Sequence, residues 1–240
     1  MAIKGILFDL YGTLIDIETD ESMEEIYRGI AHYLTYQGVC LHRWEVRDRY
    51  YRIMKQQKEE GGEEFPEIDV EAIWNALLRE EGIHTASARR RLALILSQIY
   101  RGISRKRLRL YPDVKRVLDE LRPAYRMALV SDAQPCYALP EIKALGLDGY
   151  FDPVIISARH GYRKPDSRLI EKALDIMQLV PEEAVYVGND MYRDIYGASR
   201  LGIRTIFVES NQGEKGHEGV TPDYIAHRFE DILTGVECLR

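Results

Sequence analysis

The spacing of apolar residues changes twice along this chain and divides it into three stretches. The first is Ile3-Lys4-Gly5-Ile6-Leu7-Phe8-Asp9-Leu10-Tyr11-Gly12-Thr13-Leu14, an apolar run of strand length that stops at a carboxylate, a glycine and a hydroxyl. It predicts a buried strand followed by a sharp turn at Gly12. From about Asp20 to about Arg109 the spacing is helical throughout. Ile26, Ile30, Tyr33 and Leu34 share one face, and Val46, Tyr50, Ile53 and Met54 share a second. Val70, Ile73, Trp74, Leu77 and Leu78 make a third face, and Leu92, Ile95, Leu96 and Ile99 a fourth. Acidic, glycine-containing residues 59–66 part the second from the third, and residues 82–85 part the third from the fourth. Four amphipathic helices in series predict a bundle.

From Tyr111 onward, short apolar runs alternate with helical patterns. Strands are predicted at residues 127–132, 153–157, 184–190, 204–208 and, more briefly, 224–226. Helices are predicted after Pro112-Asp113 and at residues 141–145, 168–177 and 194–201. Continuous apolar strands separated by helices predict a parallel sheet covered on both faces. The expected fold is therefore α/β: a Rossmann-like three-layer core built from residues 1–15 and 110–240. A four-helix cap, residues 16–109, is inserted after the first strand.

Composition narrows the setting. With 45% hydrophobic and 30% charged residues, the chain is globular rather than disordered. A net charge of −6 gives no basic excess for a nucleic-acid backbone. The three cysteines, Cys40, Cys136 and Cys238, lie far apart and suggest neither a disulfide framework nor a thiolate zinc site. The six histidines have no metal-ligand spacing. No secretory pattern and no bilayer-length apolar run is visible. These readings predict a cytoplasmic protein with no membrane or nucleic-acid partner; oligomeric state leaves no mark.

In a parallel sheet the C-terminal strand ends share one edge, and ligands bind there. Three predicted strands end in polar groups: Asp9, Ser131 (followed by Asp132) and Asp190. Lys164 stands before Pro165, which holds it extended, and Asp194 follows Asp190. Each has a plain structural explanation alone. Asp9 and Ser131 can cap helices, Lys164 can be a solvated lysine, and Asp194 can be an acid in a first turn. Together they set carboxylates, a hydroxyl and an ammonium on one edge, which suits phosphoryl transfer. Two carboxylates suit Mg2+, Lys164 offsets phosphoryl charge, and one carboxylate can attack phosphorus.

These residues resemble the motifs of the haloacid dehalogenase superfamily. The first motif reads Asp9-Leu10-Tyr11-Gly12-Thr13, the second is Ser131 after Leu129-Val130, and the third is Lys164 in Arg163-Lys164-Pro165-Asp166. The fourth is Gly188-Asn189-Asp190 with Asp194, running into Gly197-Ala198. The resemblance covers the core and, as the cap, the rest of the chain. It implies that Asp9 is the nucleophile and a metal ligand. It also implies that Thr13, Ser131 and Lys164 hold the phosphoryl group, with Tyr11, Gly12 and Asp132 beside it. Mg2+ would be bound by Asp9, the Tyr11 carbonyl and Asp190 or Asp194. Phosphatases of the superfamily usually carry Asp two residues after the nucleophile, whereas this chain has Tyr11. That form resembles the metal-free 2-haloacid dehalogenases, while Asp190 favours a magnesium enzyme. The first expectation is a Mg2+-dependent phosphatase of a small metabolite, with the dehalogenase as alternative. A binding or scaffold protein that lost the chemistry is a third reading. Arg43 and Arg47 are candidates for a cap arginine. The basic cluster Arg101, Arg105, Lys106, Arg107 and Arg109 reads as a solvated hinge.

Overall fold

The computed structural model describes residues 2–240. Its first strand, β1 (Gly5–Phe8), is buried at every position. Ile6 and Phe8 point into one core cluster and Leu7 into another, so both faces of the strand are covered. A two-stranded ribbon follows, formed by β2 (Ile15–Thr19) and, after the cap, β3 (Arg105–Leu110). The cap between them consists of α1 (Glu24–Tyr36), α2 (Arg43–Glu60), α3 (Val70–Glu80) and α4 (Ala86–Ser104).

The chain then returns to the core as α5 (Val114–Leu121), β4 (Arg126–Ser131), α6 (Pro135–Ala144), β5 (Val154–Ile156) and α7 (Arg168–Met177). It ends with β6 (Ala184–Gly188), a π-helical turn at Met191–Tyr196 that runs into α8 (Gly197–Ser199), then β7 (Arg204–Val208), β8 (Tyr224–Ala226) and α9 (Asp231–Cys238). The core sheet has the order β5-β4-β1-β6-β7-β8, and every neighbouring pair is parallel. Residues from α5, α6 and α9 pack on one face, and residues from α7 and α8 on the other. This is the expected three-layer α/β core.

The four cap helices share a second core with Cys136 and Tyr137 of α6, in which Trp74, Tyr27 and Tyr100 are almost wholly buried. Tyr50 stacks on Tyr100 with ring centroids 5.1 Å apart and lies 4.8 Å from Trp74. The helical reading to Arg109 is corrected here: α4 stops at Ser104 and the next six residues form β3. The basic run gave no apolar alternation strong enough to mark a strand. Its charges instead pair across the ribbon, Arg107 with Asp16 (2.9 Å) and Glu18 (2.6 Å), and Arg109 with Asp16 (2.9 Å). Two further boundaries move. Helix α6 begins at Pro135, where a missing N–H costs nothing, rather than at 141. The predicted helix at 194–201 is the π turn and the short α8.

Trp74 is 0% exposed at the centre of the cap cluster. Trp74→Ala should lower cap stability by about 3–5 kcal/mol, read as a shift of the urea unfolding midpoint.

Candidate active site

Parallel pairing fixes which residues meet at the sheet edge. Phe8 lies opposite Leu129 on one side and Val187 on the other. The next residue of each strand path is polar or leads to a polar turn: Asp9, then Val130-Ser131, then Gly188-Asn189. The Asp9 amide donates to the Val187 carbonyl at 2.9 Å, extending the ladder by one residue. Gly12 then turns the chain with φ of 90°, a conformation that side chains other than glycine rarely adopt.

Lys164 is the centre of the cluster. Its Nζ donates to Asp9 Oδ1 at 2.7 Å and to Asp194 Oδ1 at 2.6 Å. It also reaches the Val130 carbonyl and the Tyr186 hydroxyl, each at 3.2 Å. Its main-chain N–H donates to Asp132 Oδ1 at 2.9 Å. Thr13 Oγ1 lies 3.0 Å from both Asp9 Oδ2 and Asn189 Oδ1. The Oγ of Ser131 and Oδ2 of Asp132 are buried without a hydrogen-bond partner. Unpaired polar atoms inside a protein are costly, and Asp132 borders cavity space where a polar ligand could meet it. The sequence-predicted Asp9, Thr13, Asp132, Lys164 and Asp194 are thus joined by hydrogen bonds, and Ser131 ends the neighbouring strand β4 without lining either of the site's two cavities.

Burial raises the pKa of Asp9, with Lys164 opposing the shift. Burial likewise raises Asp132 and Asp194, each to about 6, again against the pull of Lys164. Burial alone would lower the pKa of Lys164, but Asp194 and Asp9 outweigh it and hold it well above its usual value. The carboxylates outnumber the ammonium, so the cluster has negative charge to spare.

The turn after β6 divides its side chains in a way the sequence did not reveal. Asn189, not Asp190, presents its side chain to Thr13. Asp190 Oδ1 accepts from the N–H groups of Tyr192 (3.0 Å) and Arg193 (2.8 Å), capping its own π turn. Asp190 Oδ2 accepts from the Glu214 N–H at 3.2 Å. Asp194 Oδ2 accepts from the N–H groups of Asn189 and Asp190, both at 3.1 Å. A cavity of about 190 Å³ is lined by Asp9, Tyr11, Lys164, Asn189, Asp190 and Asp194, among others. Among the described residues, no three His, Cys, Asp or Glu side chains are grouped closely enough to form a metal cage of their own.

A second cavity of about 300 Å³ lies between cap and core and shares Tyr11, Asp132 and Arg193 with the first. Gln134 and Glu141 carried no sequence signal, and Arg101, expected in a solvated hinge, is instead largely buried. Arg101, near the end of α4, forms a bidentate pair with Glu141 of α6 at 2.8 and 3.1 Å. The Tyr11 hydroxyl donates to the same carboxylate. Burial and Glu141 together hold the Tyr11 pKa well above its usual value, so the phenol stays protonated. Gln134 ties the core to the cap by accepting from the Val70 N–H (3.0 Å) and donating to the Ile68 carbonyl (2.7 Å). Arg43 pairs with Glu24, Arg47 pairs with Asp48, and neither lines the cavity.

With this geometry in hand, the chain can be set beside known proteins. It matches the haloacid dehalogenase-like hydrolases over residues 3–202 and belongs to that family. It is a hydrolase by that membership. The chain is 30% identical over 208 residues to the glyceraldehyde 3-phosphate phosphatase of Pyrococcus abyssi, covering 86% of this chain and 82% of that one. Its fold resembles a 2-haloacid dehalogenase from Pseudomonas syringae pv. Tomato DC3000, with a TM-score of 0.68, 20% identity and 98% of each chain covered. A HAD phosphatase from Thermococcus onnurineus matches with a TM-score of 0.61, 22% identity and the same coverage.

The raised carboxyl groups set a pH signature. From the usual 3.8 to about 6, the folded chain holds protons on Asp132 and Asp194 that the unfolded chain has released. Their contribution is full below the unfolded value and is lost as pH rises through about 6. Asp132→Asn should therefore flatten the fall in melting temperature across that window. Thermal melts at constant ionic strength check this, and an unchanged profile would place the titration elsewhere.

Proposed function

We propose that the chain is a Mg2+-dependent phosphatase of a small phosphorylated metabolite, working in the cytoplasm through an aspartyl-phosphate on Asp9. The observation that carries this reading is the Asp9–Lys164–Asp194 cluster, with an unpartnered Ser131 hydroxyl at the end of the strand next to β1. In this reading residues 1–15 and 110–240 are the catalytic core, and the helical segment closes over it. None of the helices described is long and apolar enough to cross a membrane.

The donor set fits a hard divalent cation. It consists of oxygens alone, and the four carboxyl groups Asp9, Asp132, Asp190 and Asp194 share the cavity with Lys164 and the half-exposed Arg193. Asp9, the Tyr11 carbonyl and Asp190 would hold the ion, with Asp194 behind them. Bound there, Mg2+ would supply charge neutralisation for a phosphoryl group.

The chain's own groups do the rest. An Asp9 carboxylate oxygen attacks phosphorus, and the bond to the leaving oxygen breaks. Lys164 holds Asp9 in position and offsets the charge that would repel it from the phosphoryl oxygens. Thr13 and Ser131 donate hydrogen bonds to those oxygens. Water then attacks the aspartyl-phosphate, releasing phosphate and restoring Asp9. No carboxyl stands two residues after the nucleophile. Tyr11 there is a weak acid, so esters with poor leaving groups turn over slowly and activated phosphates faster.

A second reading, metal-free displacement of halide from a 2-haloacid, is favoured by Tyr11 and by the Asn189 amide facing Thr13. One experiment separates them. Purified protein is assayed with p-nitrophenyl phosphate, acetyl phosphate and L-2-chloropropionate, with and without Mg2+. Phosphate release that needs Mg2+, and drops by about 10³-fold or more in Asp9→Asn, is expected. Halide release without metal would overturn the phosphatase reading. Failure to release either product, with no Mg2+ binding, would favour a binding protein.

A further inference from the structure

The cavity between cap and core has a charge pattern that the catalytic cluster does not explain. On the cap side it is lined by two carboxylates, Glu21 and Glu67, and by one cation, Arg101. That cation is already committed. Its guanidinium grips Glu141 through two hydrogen bonds, and the side chains are only 15% and 4% exposed. A bidentate guanidinium–carboxylate pair of this kind leaves little net charge for a ligand. The guanidinium also lies 5.4 Å from the Tyr11 ring centroid and 5.1 Å from that of Tyr137. The hydroxyl of Tyr137, a cavity-lining residue only 8% exposed, is buried without a hydrogen-bond partner.

The other two cations lining the cavity, Arg163 and Arg193, belong to the core. Arg163 precedes Lys164, and Arg193 lines both cavities. Arg193 therefore reaches the end where a phosphoryl group would sit, whereas Arg163 lines only the larger cavity. The cap's own lining residues offer aromatic faces and carboxylates and no free positive charge, and the unpartnered phenol beside them is that of Tyr137 on α6.

We propose that this cavity selects phosphate monoesters whose organic body is uncharged and hydroxyl- or carbonyl-bearing, and that the Arg101–Glu141 pair sets this selectivity. The inference rests on the phosphatase reading of Asp9. A neutral hydroxyl or carbonyl can satisfy the Tyr137 hydroxyl, which donates or accepts equally well. A carboxylate brought to the same place would lose its water, meet Glu21 and Glu67, and find Arg101 already neutralised. Glu141 therefore acts at a distance from the reaction, by cancelling the one cap cation that would welcome a second anion.

The test uses two ligands that differ only at one carbon. Glycerol 3-phosphate carries CH2OH where 3-phosphoglycerate carries a carboxylate. Binding of each to full-length Asp9→Asn protein is measured by calorimetry, so that turnover plays no part. Glycerol 3-phosphate should bind tighter by about tenfold or more. Adding Glu141→Gln should free Arg101 and move the ratio toward 3-phosphoglycerate by about tenfold or more. Adding Arg101→Gln should move it the opposite way, because Glu141 is then left unpaired. A merely structural role would shift both ligands together and leave the ratio alone. Equal or tighter binding of 3-phosphoglycerate with Arg101 and Glu141 in place overturns the proposal. So does binding of neither ester, or a ratio unmoved by both substitutions. Phosphate release is followed separately with Asp9 intact. Selective binding without release leaves the selectivity standing and defeats the phosphatase reading instead.

Discussion

A fully buried ammonium is a demanding thing to place in a protein. The desolvation cost of Lys164 is offset only because Asp9 and Asp194 meet it at 2.7 and 2.6 Å and the Val130 carbonyl and Tyr186 hydroxyl complete its shell. Those partners come from β1, β4, β6 and the π turn. The ion cluster therefore requires the strand order, the strand lengths and the turn after β6 all to be right at once. Gly188 shows how tight the requirement is. A Cβ there would lie 2.4 Å from the Asp194 side chain, so glycine is needed for the carboxylate to reach the lysine. The same crowding of carboxylates round one ammonium leaves the cluster with an excess of negative charge.

The cap is joined to this cluster through main-chain contacts as well as through the ribbon. The α2–α3 loop meets the segment that leads into Lys164: the Arg163 N–H donates to the Phe65 carbonyl at 3.0 Å, and the Glu67 N–H to the Gly161 carbonyl at 2.9 Å. Gln134, three residues beyond Ser131, grips the next part of the same loop. The helical segment therefore touches the very stretches of the core that carry Ser131 and Lys164.

Much of the core was legible because its strands are buried on both faces and read as unbroken apolar runs. Asp9, Ser131 and Asp190 stood out because each interrupts such a run, and Lys164 because a proline follows it. The ribbon was hidden: its charged alternation gives no apolar period, and its pairing partners lie about ninety residues apart in sequence. Arg101 and Glu141 were hidden for a related reason. Each looks like an ordinary helical charge until the fold brings them together across forty residues. The division of labour between Asn189 and Asp190 depends on the π turn, whose register no local spacing rule announces. A π turn holds an extra residue per turn, and this changes which side chain faces Thr13.

The latch between cap and core has a consequence for how such a protein can change. Two of its hydrogen bonds use only peptide groups, so the side chains of Phe65 and Glu67 can vary without breaking them. The ribbon supplies two tethers lying side by side, which is the mechanical arrangement of a door on one hinge line. Substitutions on the inner surface of the door can therefore accumulate while the hinge line, the main-chain bonds and the buried lysine keep their places.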